Sequence, residues 1–368
     1  MKKLKYENDR ISPRDIFVAI PSIVTGVGVL SLPKVIASAT ESADGWIPLF
    51  IGGLIAIGLT WAVAKFASGF RHQSFLTYAT KIVTKPVAML LTSLFAVIFL
   101  MITSYQVRKI SNIAQQYLFD QTPIEIIALS FLLVVIYAVS GSRVGLFRLN
   151  IMFLPIILLI AFFLIIFNLG WFEPGRLLPI FITPFTDYVK VLNQGVLAYM
   201  GFGVLWFYLA LVDQPDKAPK MAALGMCIPV GLYIIIFFVC IAVFGNAVTS
   251  NLLYPTVELA KVVEIPGGFF ERFESIFFVI WIMAIFNTTA MALDVSVFAL
   301  NSIFKNTMKL KLIFMLAPVA YIMAMLPQDV IAVDFLGGLI GNVLIILNLV
   351  VLILLPVVAK IRGVKQSE

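Results

Sequence analysis

Apolar runs follow one another along the chain from Asp15 to Lys360, separated by short stretches of Pro, Gly, Asn and charged residues. A helix needs roughly 20 apolar residues to cross the hydrocarbon of a bilayer. The pattern therefore predicts about ten spanning helices, with cores near 15–37, 46–69, 86–108, 123–140, 147–168, 188–212, 219–244, 272–300, 310–326 and 335–360. Two starts carry a signature of their own. Ser12-Pro13-Arg14-Asp15 and Thr122-Pro123-Ile124-Glu125 each place a hydroxyl, a proline and an acid where a capping box needs them.

Two of these helices are interrupted where a helix is least expected to be. The first carries Gly26-Val27-Gly28 with Pro33 close behind, and the sixth carries Gly201-Phe202-Gly203. Glycine inside a helix costs about 1 kcal/mol relative to alanine. Unwound backbone at membrane depth is tolerated only against a cavity or packed protein. Each half then holds five helices, an odd number, so the two broken helices that open the halves cross in opposite senses. This is the pattern of inverted repeats built around a midplane site. The expected fold is an all-α, polytopic bundle of about ten helices. A first repeat covers about 13–168 and a second about 188–360, within one transmembrane domain covering 1–368.

The breaks suggest their own chemistry. The half-helix after Gly28 presents free N–H groups and a positive dipole end, which suits a carboxylate. Carbonyls freed before Gly26 and near Gly201 suit an ammonium group. An amino acid carries both.

Charge sets the orientation. Lysine and arginine gather on one side, at Lys65, Arg71, Lys81, Lys85, Arg143, Arg148, Lys217, Lys220, Lys305, Lys309, Lys311, Lys360 and Arg362. Acids such as Glu41, Asp44, Glu173, Glu258, Asp329 and Asp334 lie on the other. The positive-inside rule then puts both termini in the cytoplasm. The longest connections, about 171–187 and 245–268, fall outside. Within the second, 257–263 is amphipathic and is expected to lie on the membrane surface as a short helix.

Composition narrows the class. The chain is 61% hydrophobic and 12% charged, where a soluble domain carries about 25% charged residues, so no soluble domain is expected. The first apolar run is followed by no small-residue cleavage site and reads as a retained helix. The net charge of +7 is accounted for by topology and needs no nucleic acid. Cys227 and Cys240 are too far apart on one predicted helix to pair and read as small packing residues. The single His72, in a basic loop, argues against a histidine-based metal site. No triad, phosphate loop or metal cluster is legible, so neither an enzyme nor a cofactor is expected.

Other polar residues sit within the spans. Asn287 and Asp294, seven apart, share a face of the eighth helix. Thr288 and Thr289 beside them are candidates to coordinate a cation or to bond to their own helix carbonyls, and no sodium-site set is legible. Asp294 reads as an acid near the inner boundary or a proton relay. Arg108 and Glu274 are candidates for a pair closing the outer vestibule, or for solvated rim charges. Ile98, Met101, Thr103 and Tyr105 on the third helix are candidates for the pocket wall.

The run Gly26-Val27-Gly28-Val29-Leu30-Ser31-Leu32-Pro33 resembles the first-helix element of amino acid–polyamine–organocation transporters. With "DGW" (44–46), "YPT" (254–256), "ERFES" (271–275) followed by Trp281, and short basic tails, the whole chain resembles the B-subunit permease of Ger-type spore germinant receptors. The resemblance implies a LeuT-like 5+5 fold with helices 1 and 6 broken. It also implies residence in the spore inner membrane, work alongside a larger A subunit and a lipoprotein C subunit, and sensing of a nutrient such as an amino acid, sugar or nucleoside. Many relatives carry an acid after the first glycine of the sixth helix, whereas Gly201-Phe202-Gly203-Val204 carries none.

The expected ligand-binding set is Gly26, Val27, Gly28, Ile98, Met101, Met200, Gly201, Phe202, Gly203 and Thr288. The expected function is a germinant-receptor subunit that binds a small nutrient, most simply an amino acid, and helps trigger germination. Two alternatives stay open. One is a proton-coupled amino-acid permease. The other is a structural or ion/water-conducting subunit whose ligand is sensed elsewhere in the complex.

Overall fold

The computed structural model describes residues 10–263, 273–304 and 307–364. Lys305, the first two residues of the "ERFES" run, residues 264–268 of the second long connection and most of both basic tails lie outside the described residues. Among those described, the protein is helical throughout, and ten membrane elements follow in order. They are α1a (Pro13–Val24) with α1b (Gly28–Ala37), α2 (Trp46–Ser68), α3 (Lys85–Tyr117), α4 (Ile124–Ser140) and α5 (Arg143–Phe167). After them come α6a (Phe185–Leu197) with α6b (Phe202–Leu211), α7 (Ala218–Phe244), α8 (Phe273–Ile303), α9 (Lys309–Met325) and α10 (Val330–Ile361).

Local chemistry explains the boundaries. Ser12 and Asp15 form the expected capping box: Asp15 N–H donates to Ser12 Oγ at 3.3 Å and Ser12 N–H to Asp15 Oδ2 at 2.6 Å. The second start differs from expectation. Thr122 makes no side-chain cap, and its carbonyl instead accepts from Gln115 Nε2 at 3.1 Å. Three helices are longer than the apolar runs suggest. Ser142 caps α5 by accepting from Gly145 N–H at 3.1 Å. Asp329 caps α10 by accepting from Ala332 N–H at 2.7 Å. Helix α3 runs on past Arg108 and Lys109 to Tyr117. Hydropathy ends a helix at its first charges, but a charge with a partner does not stop the backbone. The extension buries Lys109 in the bundle and leaves Asp334 at its rim.

Both breaks are present. The halves of the first helix are bent by 56° and those of the sixth by 43°. Close approach is what glycine supplies around them. A β-carbon at Gly201 would lie 2.7 Å from Val24 Cγ2, and one at Gly195 would lie 2.6 Å from the Pro48 carbonyl oxygen. Helix α6a therefore crosses α2 backbone to backbone, and the two breaks touch. The outward faces of α4, α9 and α10 carry exposed apolar side chains such as Leu133, Tyr137, Phe314, Ile331 and Ile353, as a lipid-facing surface requires.

One end of the bundle, here called the basic end, holds the ion pairs Arg71–Asp216 (3.0 Å) and Arg10–Asp213 (3.8 Å). A short helix absent from the sequence reading, Phe75–Ile82, packs there. Its Phe75 ring meets Phe95, Trp206 and Phe207 at 5.3–6.0 Å, which places it directly under α6b. It was hidden because eight residues between basic groups read as loop.

The opposite end is held by Asp44 of the "DGW" run. Its buried carboxylate accepts the N–H groups of Phe181, Ile182 and Thr183 at 2.6, 2.8 and 3.0 Å. Burial pushes this carboxyl upward, but the backbone bonds from Thr183 and Phe181, with Tyr188, more than offset that and hold it below the usual carboxylate range. The loop after α1b is thereby fixed to the segment that leads into α6a. The stretch expected as a short surface helix is a helix, Pro255–Val262, but it is packed into the protein, with Pro255, Thr256, Val257, Leu259 and Ala260 buried. Thr256 Oγ1 donates to the Val29 carbonyl at 2.9 Å, so this helix covers α1b.

Candidate ligand site between the helix breaks

Where the two breaks face each other the bundle holds a cavity of about 200 Å³. Helix 1 contributes Ile23, Val24, Val27 and Gly28, and helix 6 contributes Leu197, Ala198, Met200 and Gly201. The remaining walls are Phe99, Ile102, Tyr105 and Gln106 of α3, Thr288 of α8, and Gly337, Ile340, Gly341 and Leu344 of α10. Among these described lining residues none is acidic or basic.

Backbone chemistry dominates the site. The first turn of any helix has N–H groups with no intrahelical partner, and no side chain caps α1b. A β-carbon built on Gly28 would meet nothing within 4 Å, so this position opens onto free space. The carbonyls freed by the break are already bonded, Ser22 and Gly26 once and Val24 twice, since the Gly26 N–H also donates to Val24 O at 2.8 Å. Thr288 Oγ1 donates to Ser22 O at 3.1 Å, Tyr233 OH to Val24 O at 2.7 Å, and Trp281 Nε1 to Gly26 O at 3.3 Å. The unwound segment is therefore held in place by three side chains from α7 and α8. The Ser22 and Gly26 carbonyls each keep a second lone pair. Gln106 adds a side-chain acceptor, since its Oε1 is buried and has no partner.

The structure distributes the expected site residues as follows. Val27, Gly28, Met200, Gly201 and Thr288 line one cavity. Gly26 adjoins it, with a would-be β-carbon 2.8 Å from Thr288 Oγ1 and 2.9 Å from Gln106 Nε2. Phe202 and Gly203 lie beyond it: Phe202 is buried, and Gly203 packs against the Asn348 amide, which also accepts from Trp206 Nε1 at 2.9 Å. Ile98 and Met101 are not in the wall. Helix α3 presents Phe99, Ile102 and Gln106 instead, a face one residue round, with Tyr105 at its edge. Thr103 bonds back to the Phe99 carbonyl at 2.9 Å. Thr288 bonds to Ser22 across the interface and also to its own helix at Ala284 O, 3.3 Å, whereas Thr289 bonds only within its helix, to Ile285 O at 2.7 Å.

Sequence reasoning missed Gln106, Tyr233, and Gly337 with Gly341. The glycines had a legible signal, since they lie four apart on the last helix. A β-carbon at Gly337 would come 2.6 Å from the Tyr105 ring, so Gly337 is what lets Tyr105 lie over the cavity.

Above Tyr105 the opposite end is closed by an ion pair other than the Arg108–Glu274 pair considered from the sequence. Lys109, buried in α3, donates to Asp334 of α10, and its ammonium lies 5.2 Å from the centre of the Tyr254 ring. Arg108 rests against the Met325 sulfur at 3.7 Å.

Paired broken helices crossing at a central cavity define a LeuT-fold, transporter-like membrane protein. Solved structures agree at the level of fold. Mhp1, a nucleobase-cation-symport-1 family transporter with bromovinylhydantoin bound, superposes with a TM-score of 0.70 at 15% identity over 94% of this chain and 78% of its own. MhsT in complex with L-phenylalanine superposes with a TM-score of 0.65 at 17% identity over 94% and 97%. Sequence then fixes the family. Residues 10–333 match the spore germination protein family. The spore germination protein GerLB of Bacillus cereus is 40% identical over 89% of this chain and 88% of its own. YndE of Bacillus subtilis, another spore germination protein, is 28% identical over 98% of both. The chain belongs to the spore germination protein family.

Proposed function

We propose that this protein is the ligand-sensing membrane subunit of a spore germinant receptor, and that its ligand is a small apolar amino acid held between the two helix breaks. The observation that carries this is the uncapped start of α1b opening onto free space at Gly28. A carboxylate there meets unsatisfied N–H groups and the positive end of a helix dipole. The ammonium group falls to Gln106 Oε1 and the second lone pairs of the Ser22 and Gly26 carbonyls. A zwitterion brings both charges and needs no ionised side chain from the wall. The rest of the wall, including Ile102, Leu197, Ile340 and Leu344, suits an apolar side chain and offers a charged one no partner.

In this reading the basic end faces the cytoplasm, as its lysine and arginine excess directs, and both termini are cytoplasmic. The membrane is the spore inner membrane. A larger A subunit and a lipoprotein C subunit complete the receptor. Germination of a deletion strain against a panel of nutrients tests the proposal. Loss of the response to one or a few small apolar amino acids is expected, with restoration by the intact gene. A deletion strain that responds to every nutrient as its parent does would refute it.

A further inference from the structure

Helix α10 has two working faces. The inner one lines the cavity through Gly337, Ile340, Gly341 and Leu344. The outer one carries an exposed row: Phe335, Leu339, Asn342, Ile346, Leu349 and Ile353. Successive members are 4, 3, 4, 3 and 4 positions apart, the seven-residue repeat by which two helices pair side by side. Lipid accepts the apolar members of the row, but it has no use for Asn342. Between Asp334 and Lys360 the helix holds one other polar side chain, Asn348, and that one is buried. At 1.5 Å per residue, Asn342 lies about 12 Å inward of Asp334 and about 27 Å from Lys360. It is therefore inside a hydrocarbon layer of about 30 Å.

An amide in hydrocarbon is costly unless its groups are bonded. Asn342 is half provided for. Its Oδ1 accepts from Asn193 Nδ2 of α6a at 3.2 Å, whereas its Nδ2 has no partner among the described residues. The bond to Asn193 turns Oδ1 toward α6a and leaves Nδ2 for whatever lies outside the bundle.

A second copy of the chain supplies what is missing. Oδ1 keeps a second lone pair, so Asn342 of each copy can donate through Nδ2 and accept through Oδ1. A two-fold interface demands this self-complementarity. Two copies inserted in the same orientation present their α10 helices in parallel. Leu339, Ile346 and Ile353 then take one set of seam positions, and Phe335, Asn342 and Leu349 the other. Isoleucine in the first set with leucine in the second suits two strands, and a single polar residue in the seam fixes its register. Apolar contact alone drives helices together weakly in lipid, so the amide bonds carry much of the association.

We propose that the outer row of α10 is a homodimer interface, in which Asn342 pairs with Asn342 of the second copy about an axis along the membrane normal. Each cavity is then lined by the inner face of a helix whose outer face meets the other copy. The proposal does not depend on what the cavity binds.

The test uses the full chain with Cys227→Ala and Cys240→Ala, one new cysteine at a time, purified and reconstituted in liposomes at low protein density. Under copper–phenanthroline, Ile346→Cys should form disulfide-linked dimers at least about tenfold faster than Phe314→Cys, which is exposed on α9. Leu339→Cys and Ile353→Cys should behave as Ile346→Cys does. Energy transfer between labelled copies, followed as lipid is added, reads the dimer affinity. Asn342→Leu keeps the bulk and removes the amide, and should weaken the dimer at least about fivefold, or about 1 kcal/mol. Asn342→Gln should retain most of the affinity. Asn193→Leu leaves the Nδ2 donor in place and should weaken the dimer less than Asn342→Leu. A monomer at every dilution would overturn the proposal and leave the row to lipid. So would a dimer indifferent to Asn342→Leu. In membranes from spores, cross-linking of Ile346→Cys to a different polypeptide and never to itself would assign the row to another subunit, and this too would overturn the proposal. Should Asn342→Leu fail to accumulate, the contrast between Ile346→Cys and Phe314→Cys decides alone, and equal rates overturn the interface.

Discussion

Gly28→Ala puts the account under the most specific strain. Its backbone is not in the left-handed region, where among the described glycines only Gly245 and Gly363 sit, so alanine introduces no backbone strain. A β-carbon there touches no protein atom within 4 Å. The substitution therefore damages nothing in the empty fold, and helix propensity favours it by up to about 1 kcal/mol. What it does is project a methyl group into a cavity of about 200 Å³. A methyl group takes about the share of one water, roughly 30 Å³, next to the N–H groups that receive the carboxylate. Overfilling a well-packed site costs roughly 1–3 kcal/mol, and about 1.4 kcal/mol is tenfold in affinity. Spores carrying Gly28→Ala should contain normal amounts of the protein and need at least about tenfold more nutrient for half-maximal germination. Gly58→Ala is the control. Gly58 is exposed on α2 and its β-carbon also meets nothing, so it should leave the dose response unchanged. Normal germination by a Gly28→Ala protein present at normal levels would refute the placement of the ligand at this break.

Gln106→Leu removes the unpartnered acceptor from the wall. It should weaken the nutrient response by about 1.5–3 kcal/mol, the range for a hydrogen bond to a charged group, with membrane levels unchanged by immunoblot. Trp281→Phe removes the only side-chain bond seen to the Gly26 carbonyl among the described residues. It should lower thermal stability of the purified protein by about 1 kcal/mol, read from its unfolding transition. Asp44→Asn puts an amide against three N–H donors and should speed protease cleavage near Phe181. For the native protein the sign of the pH effect follows from its lowered pKa. The clamp is fully present above the ordinary value of 3.8 and is lost as pH falls through the lower folded value, so the same cleavage should quicken only below about pH 4.

Much of this architecture is written in the chain. The apolar runs place all ten spans, and the two glycine pairs mark both breaks, because backbone that unwinds in a membrane has few residue types to use. The cavity was legible wherever the backbone makes it, at Val27, Gly28, Met200 and Gly201. It was not legible on α3. A helix face turns by about 100° per residue, and an apolar span offers no polar side to fix its rotation, so Ile98 and Met101 read as well as Phe99 and Ile102. The charge pairs were hidden for another reason. Lys109 and Asp334 are 225 positions apart and each sits at the edge of an apolar run, where hydropathy assigns it to water. Only the packing of α3 against α10 shows them to be partners. Asp294 was legible as an intramembrane acid, but its partners Arg143, Tyr208 and Lys309 come from three other elements.

Direct binding to the purified full chain in lipid nanodiscs tests the central claim. Equilibrium dialysis against radiolabelled amino acids would measure it without the rest of the receptor. The account predicts saturable binding of one small apolar amino acid per chain, weakened about tenfold or more by Gly28→Ala, with no measurable affinity for aspartate or lysine, whose side-chain charges find no partner in the wall. An absence of saturable binding across the panel, or preference for a charged amino acid, would contradict it.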